Sequence, residues 1–77
     1  MIKENEIYEL IAKNIKHQRK LKGITQQELA KMTGYSYAYI RRIEGPSCSK
    51  NFSIFTIYII CKALNISISS LFKDDDI

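Results

Sequence analysis

The feature that most constrains the fold of this chain is a set of closely spaced helix start and stop signals within residues 25–44. Thr25 and Glu28 have the spacing of a capping box, in which each side chain accepts a hydrogen bond from the other residue's backbone N–H. Gly34 then interrupts the helical pattern and supplies a residue that tolerates positive φ. Ser36 follows as a second N-cap candidate. The segment therefore predicts two short helices joined by a tight turn.

The apolar residues of the segment fit this arrangement. Leu29 and Ala30 fall on the inner face of the first short helix, and Ala30 is small enough for two helices to cross closely. Ile40 and Ile43, three residues apart, brace the second short helix against the first. Together these positions have the spacing of a helix-turn-helix.

Helices are also predicted on both sides of this unit. Asn5 is the predicted N-cap of a long first helix, which Gly23 ends. Ser53 is predicted to cap a fourth helix that Asn65 ends, and Ser67 to cap one last turn. The apolar positions expected in the first helix are Ile7, Leu10, Ile11, Ile15 and Leu21. Those of the fourth helix are Ile54, Ile57, Tyr58, Ile60, Cys61 and Leu64, and those that close the core are Ile68, Leu71 and Phe72.

Length and composition favour one small helical domain. The 77 residues are near the size at which a single apolar core can hold a fold together. Three Gly and one Pro are too few for the turns of an all-β domain of this length. We predict an all-α, compact bundle of about five helices that is one domain over residues 1–77. Its core spans about residues 7–72 and its helix-turn-helix about residues 25–44.

Positive charge is concentrated in the body of the chain. Residues 10–73 contain 11 Lys or Arg and two acidic residues, Glu28 and Glu44, whereas the other acidic residues lie near the ends. A compact body this basic attracts polyanions, because each neutralised phosphate releases condensed counterions. Charge alone fits a solubilising surface equally well, so the motifs must decide.

Several other classes of function are disfavoured. The N-terminus lacks the apolar stretch of an export signal, and no apolar run reaches the ~20 residues that span a bilayer, so a cytoplasmic protein is predicted. Cys48 and Cys61 lack metal-site spacing, and in a reducing cytosol a disulfide between them is not expected. The chain also lacks a nucleophile–base pair and a phosphate-cradling glycine loop, so we expect no enzyme, no cofactor and no small-molecule ligand.

The sequence resembles the Cro and phage-repressor (XRE-type) helix-turn-helix family from about Leu10 to Phe72. The resemblance rests on four signatures in order: RKLKGIT followed by QQELA, the TGYS turn, YIRRIE, and KALNISISSLF. It implies a lambda-repressor-like DNA-binding domain that acts as a small transcriptional regulator. It also implies that residues 37–42 lie along the major groove of double-stranded DNA.

The resemblance also implies individual roles. Gln26 matches a position that holds a phosphate, and Arg19 and Glu44 match a pair that bridges the first and third helices. Tyr37, Ala38 and Arg42 occupy base-reading positions, and arginine is the best reader of guanine. The full set of expected DNA contacts is Gln26, Gln27, Ser36, Tyr37, Ala38, Tyr39, Arg41, Arg42 and Lys50.

The sequence departs from the family in two places. The loop GPSCSKNF after Glu44 is about two residues longer than the commonest family form, which leaves the position of Lys50 open. The reading positions carry tyrosine where phage repressors commonly carry amides, so no base preference is transferred.

Two alternatives remain at this point. The aromatic run YSYAY also suits a protein-interaction module, such as an antitoxin-like partner, with secondary DNA binding. Charge alone would suit nonspecific binding of RNA or DNA.

Assembly into a dimer is expected as well. One module offers few reading side chains, and helix-turn-helix domains commonly dimerise on a pseudo-palindromic operator. We predict a weak homodimer through the C-terminal end. The residues expected to form it are Ile66, Ile68, Leu71 and Phe72.

Overall fold

The computed structural model describes residues 3–45 and 52–74 of the chain. These residues form four α-helices and one 3₁₀ turn, and they contain no strand. The helices are α1 (Glu4–Leu21), α2 (Gln26–Thr33), α3 (Tyr37–Glu44) and α4 (Ile54–Leu64), and the 3₁₀ turn is Ile68–Leu71. The predicted all-α class is confirmed, with the last of the five expected elements reduced to a single turn.

The two helices α2 and α3 begin and end at their local sequence signals. The Oγ1 atom of Thr25 accepts from the backbone N–H of Glu28 at 3.0 Å, and the N–H of Thr25 donates to Oε1 of Glu28 at 2.8 Å. Gly34 has φ of +83°, a left-handed conformation that costs glycine little. Ser36 caps α3 by accepting from the N–H of Tyr39 at 3.0 Å. The chain therefore leaves α2 and enters α3 within three residues.

The other helix ends follow the predictions with two exceptions. Ser67 stands at the N-cap position of the 3₁₀ turn, but its side chain makes no capping hydrogen bond. Ser53 caps α4 by accepting from the N–H of Thr56, and Asn65 ends it with φ of +56°. The prediction that Asn5 caps α1 is wrong, because α1 begins at Glu4 and Asn5 lies inside its first turn. Lys3 occupies the N-cap position with an extended backbone, and its N–H donates to Oε1 of Glu6 at 3.0 Å. The carboxylate of Glu6, at the third helical position, supplies this capping bond.

One apolar core joins all of these elements. Side chains that are almost completely buried come from each α-helix and from the 3₁₀ turn: Ile11, Ile15, Leu29, Ile40, Ile60, Leu64 and Leu71. The loop residue Phe52 is buried too. Its ring packs edge-on against the ring of Tyr8, with 5.1 Å between the ring centroids. The Nδ2 group of Asn14 on α1 donates to the carbonyls of Leu71 and Lys73, both at 2.9 Å. The 3₁₀ turn is thereby held against α1.

Some residues predicted to be in the core are at the surface. Ile54 and Tyr58 on α4 are exposed, as is Leu21 at the end of α1. Ile68 and Phe72 are also classed as exposed, so of the three residues predicted to close the core only Leu71 is buried. For Ile54 and Tyr58 the reason is geometric, since α4 carries apolar residues on more of its circumference than its neighbours can cover. Within the described residues, no helix is long and apolar enough to cross a membrane.

Candidate nucleic-acid interface

The second helix of the helix-turn-helix has one buried and one exposed side. Ile40 and Ile43 are buried in the core, three residues apart on the same side of α3. Tyr37, Ala38, Arg41 and Arg42 are exposed on the other side. This set of four is called the α3 outer face below. An α-helix with side chains of this kind fits the width of the major groove of B-DNA.

Each arginine of the α3 outer face lies against a tyrosine ring. The guanidinium carbon of Arg41 is 5.5 Å from the ring centroid of Tyr37, and that of Arg42 is 5.5 Å from the ring of Tyr39. The spacings of four and three residues are those at which helix side chains meet. The rings attract the guanidinium groups through cation–π interactions. They also restrict the directions in which the two arginines point.

Tyr39 differs from the residues of the α3 outer face because it is half-buried. Its ring packs on the ring of Tyr35 in the turn, with a centroid distance of 4.9 Å. The hydroxyl of Tyr35 is 3.1 Å from Oγ1 of Thr56 on α4. Two of the three tyrosines in YSYAY therefore contact the protein's own interior, and Tyr37 is the one that is exposed. The run therefore leaves much less aromatic surface free than three exposed tyrosines would.

A buried polar network holds α3 against α1 and α2. Arg19 donates from Nε to Oε2 of Glu44 at 2.7 Å and from Nη2 to Oε1 at 2.9 Å. Its Nη1 donates to the carbonyl of Ile24 at 2.8 Å. The two side chains are only 8% and 2% exposed, so the bidentate pair is shielded from solvent. The geometry of the pair is as the family resemblance implied.

Gln26 is the third member of this network. Its Nε2 donates to Oε1 of Glu44 at 3.0 Å, and the side chain is half-buried. Gln26 therefore has a structural partner in addition to the phosphate role implied by the resemblance. No sequence pattern predicts this contact, because an amide side chain at a helix start suits many partners.

The remaining expected contacts fall into two groups. Gln27 and Ser36 are exposed, Gln27 in the first turn of α2 and Ser36 at the start of α3. Gln27 lines a shallow recess together with Lys31 and Tyr37. Lys50 and Cys48 lie outside the described residues.

Two basic residues that line recesses near this surface, Lys16 and Lys31, are not among the predicted contacts. Lys16 of α1 lines a recess together with Gln26, Ala38, Arg41 and Arg42. It belongs to the basic, exposed side of α1. Only the packing of α1 beside α3 brings it to the α3 outer face, so its position in the sequence does not reveal it.

The two acidic residues in the body of the chain leave this surface positive. Glu44 is neutralised by Arg19, and Glu28 is occupied by the capping box of α2. No group of three or more potential metal ligands occurs among residues 3–45 and 52–74. Cys61 is buried, and desolvation raises the pKa of its thiol, which disfavours the reactive thiolate. The surface is suited to binding an anionic polymer.

Comparisons with known proteins show similarity to helix-turn-helix proteins. A family model described as helix-turn-helix matches residues 15–71. The chain is 32% identical over 66 residues to control protein C.SmaI of Serratia marcescens, an alignment that covers 86% of this chain and 76% of that protein.

Two solved structures are similar in fold and sequence. The restriction-modification controller protein C.AhdI of Aeromonas hydrophila has a TM-score of 0.75 and 26% identity, over 84% of this chain and 96% of that one. SinR, the master regulator for biofilm formation, was crystallised in complex with DNA. It has a TM-score of 0.73 and 32% identity, over 82% of this chain and 98% of that one.

Proposed function

From the fact that this chain belongs to the helix-turn-helix family of DNA-binding transcriptional regulators, we propose that it binds a specific site in double-stranded DNA and so regulates transcription. The family consists of regulators rather than enzymes. The proposal places α3 in the major groove, with the α3 outer face toward the base edges. A regulator of this kind acts where the DNA is, and we therefore also propose a cytoplasmic location.

The observation that carries the proposal is the composition of the α3 outer face. The helix is anchored by buried Ile40 and Ile43, so the exposed side is held rigidly outward. Arg41 and Arg42 can each donate two parallel hydrogen bonds to O6 and N7 of guanine. Ala38 is small enough for the helix to come close to a thymine methyl. The crystal structure of SinR in complex with DNA supports the same kind of partner for this chain.

Phosphate contacts are proposed for the positions around this helix. Gln27 and Ser36 are exposed at the starts of α2 and α3, where backbone N–H groups and the helix dipole favour anions. Lys16 and Lys31 are exposed beside them and add positive charge. Such contacts set the orientation of the protein on the duplex, whereas the base contacts set the sequence preference.

Site selection from random duplex DNA tests the proposal. We expect successive rounds to converge on one sequence, and binding to it to survive an excess of random competitor DNA. Specific complexes are typically ~10³-fold or more tighter than nonspecific ones at the same salt concentration. Failure to converge, with equal affinity for all duplexes and a steep salt dependence, would instead favour binding by charge alone.

The pairing of two chains on DNA is part of the proposal. A single α3 outer face has too few base contacts to identify one site in a genome, and two domains related by a two-fold axis would double them. Exposed apolar side chains lie on α4 and around the 3₁₀ turn: Ile54, Phe55, Tyr58, Ile68 and Phe72. This set, called the α4 patch below, keeps Ile68 and Phe72 of the surface predicted from sequence. It omits Leu71, which is buried, and Ile66, which packs on the core. We propose a weak homodimer through the α4 patch on a pseudo-palindromic operator.

The likeness to two controller proteins suggests which genes to examine first. C.SmaI is a control protein and C.AhdI is a restriction-modification controller protein. We propose that the operator lies upstream of restriction-modification genes. A match of the selected sequence to a promoter of such genes would support this assignment, and its occurrence only elsewhere would contradict it.

The protein-interaction alternative loses its main support. It was based on the aromatic run YSYAY, but Tyr35 and Tyr39 pack on each other and are half-buried. Purification with a stoichiometric second protein, together with failure of site selection, would restore that alternative.

A further inference from the structure

We propose that Tyr39 is a positioning residue for Arg42 and that Tyr35 and Thr56 hold its ring in place. The inference deepens the proposed function and rests on it, since Arg42 is the arginine expected to read a base. It also changes the role of Tyr39 from a DNA contact to a support for one. Four side chains are involved, and each contacts the next from α4 to the α3 outer face: Thr56, Tyr35, Tyr39 and Arg42.

The first contact in the series is the one between Tyr39 and Arg42. The guanidinium carbon of Arg42 lies 5.5 Å from the ring centroid of Tyr39. Tyr39 is half-buried and packs against the core, so contacts within the protein hold its ring in place. Arg42 is exposed. The ring of Tyr39, called the platform below, therefore lies on the protein side of the exposed, charged Arg42 side chain.

The ring of Tyr39 is in turn held in place by Tyr35, which lies in the turn between α2 and α3. The rings of Tyr35 and Tyr39 are 4.9 Å apart with an interplanar angle of 52°. Tyr35 lies between α2 and α3, outside both helices, so helical hydrogen bonds do not restrain it. Its backbone N–H donates to Oγ1 of Thr33 at 3.3 Å, and its ring is positioned by side-chain contacts.

Those contacts end on a buried hydroxyl of α4. The hydroxyl of Tyr35 is 3.1 Å from Oγ1 of Thr56, which is buried in the first turn of the helix. Oγ1 of Thr56 is also 3.3 Å from Oγ of Ser53, the residue that caps α4. A polar anchor of this kind is directional and fixes the tyrosine ring more tightly than apolar packing alone.

The expected consequence is an effect on discrimination between bases. An arginine reads guanine only when its planar guanidinium meets both acceptors at once. Restricting the side chain before binding lowers the entropic cost of adopting that geometry. A contact with a phosphate does not require this planar geometry, because much of its attraction comes from the positive charge alone. Loss of the platform should therefore reduce sequence discrimination more than it reduces binding to random DNA.

Two substitutions of Tyr39 test the contact directly. Tyr39→Leu removes the aromatic face, and Tyr39→Phe keeps it. On the selected site we expect Tyr39→Leu to lower discrimination at the base pair read by Arg42 by about 2- to 5-fold, the range for an exposed cation–π contact. Tyr39→Phe should retain the wild-type discrimination. Tyr35→Phe, which keeps both rings and removes only the hydrogen bond to Thr56, should give a smaller loss at the same base pair.

A matched control separates positioning from stability. Tyr8 is also a half-buried tyrosine that packs on another ring, but it lies on α1 against Phe52. Tyr8→Leu should lower the unfolding temperature while leaving the discrimination profile unchanged. In the Arg42→Ala background, Tyr39→Leu should cause no further loss of discrimination, because the two side chains act as one unit. Additive losses, or a Tyr39→Leu profile identical to that of the wild type, would overturn the proposal.

A measurement without DNA keeps the inference independent of site selection. Protons of the Arg42 side chain above the ring of Tyr39 should show an upfield ring-current shift in the NMR spectrum of the free protein. The shift should persist in Tyr39→Phe and disappear in Tyr39→Leu. Its absence from the wild type would refute the platform even where a specific site is found. Its presence together with failed site selection would refute the proposed function and leave the positioning of Arg42 by Tyr39 as a property of the free protein.

Discussion

At the scale of single residues, Glu44 is the side chain whose removal we expect to lower the free energy of unfolding most. It accepts three hydrogen bonds, two from Arg19 and one from Gln26, and thereby joins α1, α2 and α3. A buried ion pair contributes little net stability compared with an apolar pair, but removing one partner leaves the other charge without compensation. The network therefore matters most for what its disruption would cost.

We expect Glu44→Ala to lower the free energy of unfolding by ~3–5 kcal/mol, because Arg19 is then left buried without its carboxylate. Urea denaturation followed by circular dichroism measures the change. Glu28→Ala is the matched control, since Glu28 is the other acid in the body of the chain but is exposed. It should cost only about 1 kcal/mol, from the loss of one capping hydrogen bond. Equal urea midpoints for Glu44→Ala and the wild type would show that the network is not a stabilising feature.

At the scale of the elements, the angle between α2 and α3 depends on Gly34. Its φ of +83° is in the left-handed region, and a Cβ added there would meet no atom within 4 Å. The requirement for glycine is therefore conformational rather than steric. We expect Gly34→Ala to destabilise the fold by ~1–2 kcal/mol, the cost of left-handed φ for a residue with a Cβ.

Gly34→Asn provides the comparison for this prediction, because asparagine tolerates the left-handed conformation better than alanine. Its thermal unfolding temperature should lie between those of the wild type and Gly34→Ala. Alanine and asparagine variants that unfold together at the wild-type temperature would contradict the assignment of the turn to backbone conformation.

How far the elements could be predicted depended on whether their causes were local. Thr25, Gly34, Ser36 and Ser53 act on backbone groups a few residues away, so their sequence spacing was sufficient. The start of α1 was misplaced because a carboxylate from inside the helix, that of Glu6, makes the capping bond to the N–H of Lys3.

The parts of the site that could not be predicted depend on contacts distant in sequence. Sequence periodicity does not predict the exposure of Ile54 and Tyr58 on α4. It shows that the helix is apolar, but it does not show how much of the helix surface the neighbouring elements cover. Tyr35 meets Thr56, 21 residues away, and Gln26 meets Glu44, 18 residues away. Neither pair has a sequence signal, since these residue types accept many partners. The exposed arginines of α3, by contrast, could be predicted from the positions of Ile40 and Ile43.

At the scale of the whole molecule, the α4 patch is the surface expected to join two chains. Phe55 is 64% exposed within it, whereas Leu21 on α1 is 66% exposed and lies outside it. We expect Phe55→Ser to weaken self-association without altering the unfolding temperature, because the side chain makes little contact within one chain. Light scattering over a range of concentrations measures the association.

Leu21→Ser is the control for this prediction, since it removes an equally exposed apolar side chain elsewhere. It should leave the mass profile of the wild type unchanged. A wild-type protein that remains a monomer at every concentration, and binds its selected site with one chain, would refute the homodimer.

We propose that Arg42 and its neighbours on α3 read base pairs in the major groove, and the discrimination profile of Arg42→Ala tests this. Binding constants of this variant and the wild type would be measured on the selected site, on single base-pair variants of it, and on random DNA. We predict a loss of ~1–3 kcal/mol on the selected site, discrimination flattened at one base pair, and little change on random DNA. Equal losses on the selected site and on random DNA, with the profile unchanged, would contradict the claim and reduce Arg42 to a phosphate contact.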